Sequence, residues 1–292
     1  MTRSNSSDRV AGIHRIALQM PDMAEAVRFY RDTWKLRPAG KDGEYHAFRT
    51  ADCAHDDFLL KQGPSRIAHL AFPVASMEAL DGFAARLAAA GFRVSVPGDA
   101  LPRSDAAAIA VTDPDGREVR LVVPAGDTAP ASGDIDPLGP LAIGHVVLWT
   151  PDQPAAEQFY GLLGFQVTDR THAGMSFLRC NADHHTLALM KSKTGRTGVQ
   201  HIAFDVGSLD NVMRNFGRLR DQGLDCAWGV GRHGPGNNIF SYYADPAGNF
   251  VEYYGDMEVF PVDDLVEARI WGPEHKGDIW GVAGIPPLAF RE

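Results

Sequence analysis

Glu252 sits in the middle of a strand-like run, Phe250 to Tyr254. A carboxylate there is costly to bury unless it is paired or binds a metal. The stretch that ends on it, GRHGPGNNIFSYYADPAGNFVE, begins at Gly231 and holds His233 in a turn-rich His-Gly-Pro-Gly run. It passes through the apolar and aromatic run Ile239 to Tyr243, which contains Tyr242. Asp245-Pro-Ala-Gly248 then supplies a turn, since proline and glycine in close succession match turn chemistry. Histidine, tyrosine and glutamate are groups that hold metals, move protons and donate or accept hydrogen bonds. Each also has a plainer use. Glu252 alone would read as an exposed residue on an edge strand, and one buried histidine as a satisfied core residue.

The elements that must position these groups come in repeats, which are sought before anything else. GIHRIALQMPDMAEAVRFY near the start matches GHVVLWTPDQPAAEQFY near the middle, pairing His14 with His145, Pro21-Asp22 with Pro151-Asp152 and Phe29-Tyr30 with Phe159-Tyr160. RIAHLAFPVASMEAL matches GVQHIAFDVGSLDNV, pairing His69 with His201. VTDPDGREVRLV matches YADPAGNFVEYY, pairing Asp113 with Asp245 and setting Arg120 opposite Glu252. One domain is therefore written twice. Each copy splits again into a strand, a helix and two or three further strands, with helical spacing over 23–34, 77–90, 153–163 and 209–222. The elements give an α+β class of two tandem domains. The boundaries expected are a disordered start over 1–9, a first domain over 10–124, a Pro-, Gly-, Asp- and Ser-rich linker over 125–140, a second domain over 141–258 and an arm over 259–292 packed on the second domain.

The chain of 292 residues is long enough for two cores of ordinary size. A net charge of -9 gives no footprint for nucleic acid or an anionic membrane surface. The apolar runs are all far shorter than a membrane span. Residues 1–9 have no apolar core, unlike a secretory signal. Three scattered cysteines, Cys53, Cys180 and Cys226, lack metal-ligand spacing, and a reducing cytoplasm is the natural compartment.

With these residues in hand, the 231–252 stretch resembles the signature of the type I extradiol dioxygenases of the vicinal oxygen chelate superfamily. His233, Tyr242, Asp245, Pro246, Gly248 and Glu252 fit it in order and spacing, while Ser241 departs from the aliphatic residue or Phe usual before the tyrosine. In that superfamily βαβββ units pair to curl each domain's sheet into a half-open barrel. The resemblance implies that His145, His201 and Glu252 are the metal ligands. Two imidazoles and one carboxylate make the facial triad that leaves open positions on a non-haem iron(II). It further implies that His185, in His185-Thr-Leu-Ala-Leu189, acts as acid and base near the metal, and that His233 and Tyr242 donate hydrogen bonds to substrate oxygens. His184 would point to the opposite face, because neighbours on a strand alternate. Val147, two residues after His145, would share its face and wall the substrate. The first domain, with Arg120 in the carboxylate's place, would be a degenerate scaffold. His46, His55, His172 and His275 match no motif and read as surface or structural residues.

The activity implied is oxidative opening of a catechol ring with O2 as co-substrate, at Fe(II) or, as an alternative, Mn(II). A small-molecule catechol would be the partner, with no nucleic acid and no membrane, and the family's habit implies a homo-oligomer. Two other readings stand beside it. One is a glyoxalase-like isomerase, which typically uses four protein ligands on zinc or nickel. The other is a metal-free small-molecule binding protein of the same fold.

Overall fold

The computed structural model describes residues 8–126, 135–264, 266–275 and 277–291. The expected disordered start therefore lies outside the described residues over 1–7, and the expected linker over 127–134. The first copy builds β1 (Arg15–Met20), α1 (Met23–Arg28), β2 (Arg37–Asp42), β3 (Tyr45–Arg49) and β4 (Phe58–Gln62). The cycle repeats as β5 (Arg66–Pro73), α2 (Met77–Ala89), β6 (Val94–Ser95), β7 (Asp105–Thr112) and β8 (Glu118–Pro124). The second copy gives β9 (Ala142–Thr150), α3 (Gln153–Leu162), β10 (Gln166–Thr171), β11 (Met175–Arg179) and β12 (Leu187–Lys191). Then come β13 (Gly198–Asp205), α4 (Leu209–Asp221), β14 (Trp228–Arg232), β15 (Ile239–Ala244) and β16 (Phe250–Gly255). A C-terminal segment adds β17 (Arg269–Trp271) and α5 (Leu288–Arg291). No helix among the described residues is long and apolar enough to cross a membrane.

The class is α+β, and each copy is a pair of βαβββ units. In every unit the first strand pairs parallel with the last, and the two units of a copy join antiparallel through their first strands, β1 with β5 and β9 with β13. The first sheet runs β2-β3-β4-β1-β5-β8-β7-β6, an open order with free edges, as a half-open barrel requires. The second runs β14-β15-β16-β13-β9-β12-β11-β10, with β17 added beyond β10.

Local chemistry explains where the helices begin. The repeated Pro-Asp pair supplies the N-cap of the first helix in each copy, Asp22 accepting from the Glu25 N–H and Asp152 from the Ala155 N–H. Ser76 and Ser208 cap the second helix of each copy in the same way. Each cap is worth about 1 kcal/mol. The strands between them are buried apolar runs: β9 is buried from His145 to Thr150 without a break, as a strand covered on both faces must be.

One continuous apolar core joins the copies, with Trp34, Phe58 and Phe72 of the first packed among Phe165, Phe204 and Tyr253 of the second. Trp34 stacks on Tyr253 at 3.8 Å, and the Tyr253 hydroxyl donates to the Trp34 carbonyl at 2.6 Å. This leaves the opposite faces of the central strands free to build sites.

Candidate active site

Three adjacent strands place the side chains expected to bind a metal. Across β16, β13 and β9 the register sets Glu252 beside Ala203 and Ala203 beside His145. His201 lies two residues before Ala203, so it shares that face of β13. The small methyl of Ala203 leaves the space between the larger groups open. His145 Nε2 and His201 Nε2 lie 3.2 and 3.1 Å from Glu252 Oε2, and 3.3 Å from each other. All three side chains are buried. Among the described residues they are the one cluster of histidine, cysteine and carboxylate groups able to hold a metal, with ligand atoms within 4.8 Å of one another.

The electrostatics suit that use. Burial alone would raise the pKa of Glu252, but hydrogen bonds from His145 and His201 outweigh it and hold the carboxyl well below its ordinary range, ionised. Burial pushes His201 down to about 4, so its ring is neutral near pH 7. For metal binding the hydrogen of His201 would sit on Nδ1, where the Gln200 side-chain oxygen can accept it, and the lone pair would be left on Nε2 for the ion. Asn238 donates to the other glutamate oxygen at 3.3 Å. Two nitrogen donors and one carboxylate oxygen, oriented by neighbours, fit a divalent first-row metal ion. Gly144, beside His145, is needed for close approach, since a Cβ there would lie 1.8 Å from the Tyr254 hydroxyl.

The first copy inverts this charge. Its register sets Arg15 and Arg120 either side of Ala71, where the second copy sets His145 and Glu252 either side of Ala203. Ala17 pairs with His69 as Val147 pairs with His201. The expected pairing of His14 with His145 is therefore off by one residue: Arg15 holds that place and His14 the place of Gly144. The offset that relates Pro21 to Pro151 also relates Arg15 to His145, whereas matching histidine to histidine demands an extra step. Arg15 is bound by Asp105 at 2.5 Å and Arg120 by Asp99 and Glu118, each at 2.6 Å. Two fixed guanidinium groups at ligand positions repel a cation.

The remaining sequence candidates converge on the second copy's site. Tyr242 pairs directly with Glu252 across β15 and β16. His233 follows β14; one ring nitrogen donates to the Gly277 carbonyl at 2.8 Å, and the other lies 3.0 Å from the Tyr242 hydroxyl, from which it accepts. The His185 ring lies 4.2 Å from that of His145, and burial first, then the neighbouring histidines, pushes its pKa well below the ordinary value. Val147 packs with Phe177 and Ala188 in a small apolar cluster apart from the main core.

His184 departs from expectation. It does not turn away from His185: the two Nδ1 atoms lie 3.0 Å apart, and both residues are buried. Strict alternation fails because both precede β12, His184 in a bend and His185 in irregular backbone rather than a strand. Sequence reading also missed Phe290 on α5, whose ring lies 4.8 Å from Tyr242 and 6.4 Å from His201. The segment holding it was expected to pack on the second domain, but it has no counterpart in the repeat, so no motif marked which of its residues reaches the site.

A model of the Glyoxalase/Bleomycin resistance protein/Dioxygenase superfamily matches the chain twice, over residues 12–121 and 142–253. The chain belongs to this superfamily. Metapyrocatechase 2 of Cupriavidus necator is 30% identical to this superfamily member, covering 93% of it and 89% of its own length. Among solved structures, the Mn(II)-bound glyoxalase from Novosphingobium aromaticivorans is 29% identical with a TM-score of 0.84, covering 96% of this chain and 94% of its own. Homoprotocatechuate 2,3-dioxygenase from Arthrobacter globiformis has a TM-score of 0.85 at 22% identity, covering 98% and 92%, a likeness of fold. The resemblance to type I extradiol dioxygenases carried by the 233–252 signature agrees with this membership and with the dioxygenase relatives.

Proposed function

We propose that this chain is an extradiol dioxygenase that opens the ring of a small catechol-type substrate with O2. The observation that carries the reading is the convergence of His145, His201 and Glu252 at one buried point of the second copy, beside His185, His233 and Tyr242. His145, His201 and Glu252 would hold the metal, for which we favour iron(II) over manganese(II). When bound, the ion supplies open positions for both diol oxygens and O2, and the redox chemistry that joins them.

The side chains do the rest. His185, neutral and buried, accepts a proton from a diol hydroxyl and returns it later. Tyr242 and His233, hydrogen-bonded to each other, are placed to hold substrate oxygens once the diol inserts between them and Glu252. Val147 and Phe177 offer an apolar wall for the ring and keep water out. We further propose that 10–124 is a degenerate scaffold domain, 141–258 the metal-binding domain and 259–292 an arm, with 125–140 as linker. A homo-oligomer in a reducing cytoplasm completes the reading, consistent with three free cysteines.

The test is a panel of catechols offered to the iron-loaded protein, with binding followed anaerobically and then O2 uptake and ring-opened product followed spectroscopically. One O2 consumed per ring opened is the expected result. A second reading, a glyoxalase-like isomerase, is favoured by the 29% identity to a manganese-bound glyoxalase. Isomerisation of a hemithioacetal with no O2 uptake would establish it, but such enzymes typically place four protein ligands, and three groups cluster here.

A further inference from the structure

We infer that Asp169 and His184 are positioning residues that fix the orientation and tautomer of His185, and that the C-terminal segment holds this chain of contacts in place. The inference rests on the reading of His185 as the proton-handling residue. His184 Nε2 lies 3.0 Å from Asp169 Oδ2, and His184 Nδ1 lies 3.0 Å from His185 Nδ1. All three side chains are buried, and none of these contacts involves the His145, His201 and Glu252 cluster.

The proton positions follow from the donor inventory. An ionised carboxylate only accepts, so the hydrogen of His184 sits on Nε2. With the His184 ring neutral, its Nδ1 presents a lone pair. His185 must meet that lone pair with an N–H, because two lone pairs 3.0 Å apart would repel in a buried place. The Nδ1 of His185 therefore carries the hydrogen, and its lone pair is left on Nε2, the nitrogen not engaged by His184. When the O–H bond of a diol breaks toward that nitrogen, the electron pair stays on the phenolate oxygen and a new N–H bond forms. The positive charge created on His185 is then stabilised through His184 by Asp169, by the logic through which a buried carboxylate orients and supports a basic histidine.

The outer end of the chain of contacts is fixed from a distant part of the sequence. Trp271 Nε1 donates to Asp169 Oδ2 at 2.6 Å, and Arg269 donates to Asp169 Oδ1 through Nε at 2.9 Å. Both residues lie on β17, which pairs parallel with β10, the strand of Asp169. The other end is closed in by Gly236, where a Cβ would lie 3.2 Å from both His184 Nδ1 and His185 Cε1. The C-terminal segment thus pins the carboxylate that sets the histidine pair.

The test reads the tautomers directly, by long-range proton–nitrogen spectra of the zinc-loaded wild-type protein labelled with nitrogen-15 in histidine. The expected result is hydrogen on Nε2 of His184 and on Nδ1 of His185. Hydrogen on Nε2 of His185 would overturn the inference. Asp169→Asn, whose amide can also donate, should mix the tautomers and lower kcat for ring opening, by at least about tenfold and within the roughly 10²–10⁴-fold span of lost acid–base help. KM and bound iron should stay near wild type; an unchanged kcat would count against the proposed positioning role. The wild-type spectra decide the matter even if Asp169→Asn does not fold. If the wild type opens no catechol yet shows the expected tautomers, the catalytic reading fails and the hydrogen-bond chain stands.

Discussion

The hydroxyl of Tyr30 donates to Oδ2 of Asp245 at 2.8 Å, joining residues 215 positions apart. The repeat duplicates the contact in reverse, with the Tyr160 hydroxyl on Asp113 Oδ2 at 3.0 Å. Each aspartate belongs to the Asp-Pro-x-Gly turn of one copy, and each tyrosine follows the first helix of its copy or ends it. Asp245 also accepts from the backbone N–H groups of Ala247 and Asn249, both at 2.9 Å. The aspartate of the signature therefore braces the two copies against each other.

Tyr30→Phe should leave Asp245 short of one partner in a buried place and destabilise the protein by about 1–3 kcal/mol. Metal affinity should change little, since the contact lies away from Glu252. Unfolding midpoints of Tyr30→Phe and Tyr160→Phe, measured together with iron content, check both statements. Loss of iron from a stably folded Tyr30→Phe protein would contradict them.

Metal stoichiometry should be one per chain. Glu252→Ala should abolish retention, whereas His14→Ala should keep it near wild type, because Arg15 and Arg120 hold the first copy's ligand places. Elemental analysis after gel filtration decides. Two tightly held ions per chain would refute the charge-inversion argument.

His185→Phe should retain iron and bind catechol but lose turnover by roughly 10²–10⁴-fold. Strand alternation would make His184→Phe nearly silent. The Nδ1–Nδ1 contact at 3.0 Å predicts that it also lowers turnover, though less. Steady-state kinetics on the pair, with iron content as control, distinguishes the two views. A silent His184→Phe would restore the alternation argument.

Acid should weaken the first copy through Asp105. Burial would raise the pKa of this carboxyl, but hydrogen bonds from His14 and Arg15 prevail and hold it below the ordinary carboxylate range. A group whose folded pKa is depressed stabilises above its unfolded value, about 3.9, and loses that contribution as pH falls below it. The stability gap between wild type and Asp105→Asn should thus be widest near pH 7 and narrow toward pH 3. Denaturant unfolding across that range measures it, and a gap that widened in acid would reverse the sign.

Phe290→Ala should remove the aromatic face lying on Tyr242 and Phe250, whose rings are 4.8 and 4.2 Å away. The site should then admit catechols with larger substituents, at the cost of a higher KM for catechol itself. Ratios of kcat/KM over a size series read this out. Unaltered ratios would place Phe290 outside the substrate's reach.

That His145, His201 and Glu252 would meet was implied by the family resemblance, whereas the local pattern by itself determined the doubled order of strands and helices and the Asp and Ser helix starts. Those features depend on near neighbours: capping, alternation and turn chemistry act over a few residues, and the repeat copies them whole. Only the tertiary structure decided that Arg15, and not His14, stands in the place of His145, because register is set by pairing with β5 rather than by residue likeness. It alone decided that His184 joins His185, since a bend cancels the alternation a strand would impose. It also chose which residues of the C-terminal arm reach the site, setting Phe290 beside Tyr242 and Trp271 beside Asp169. Packing against distant strands fixes such contacts, and no local spacing encodes them.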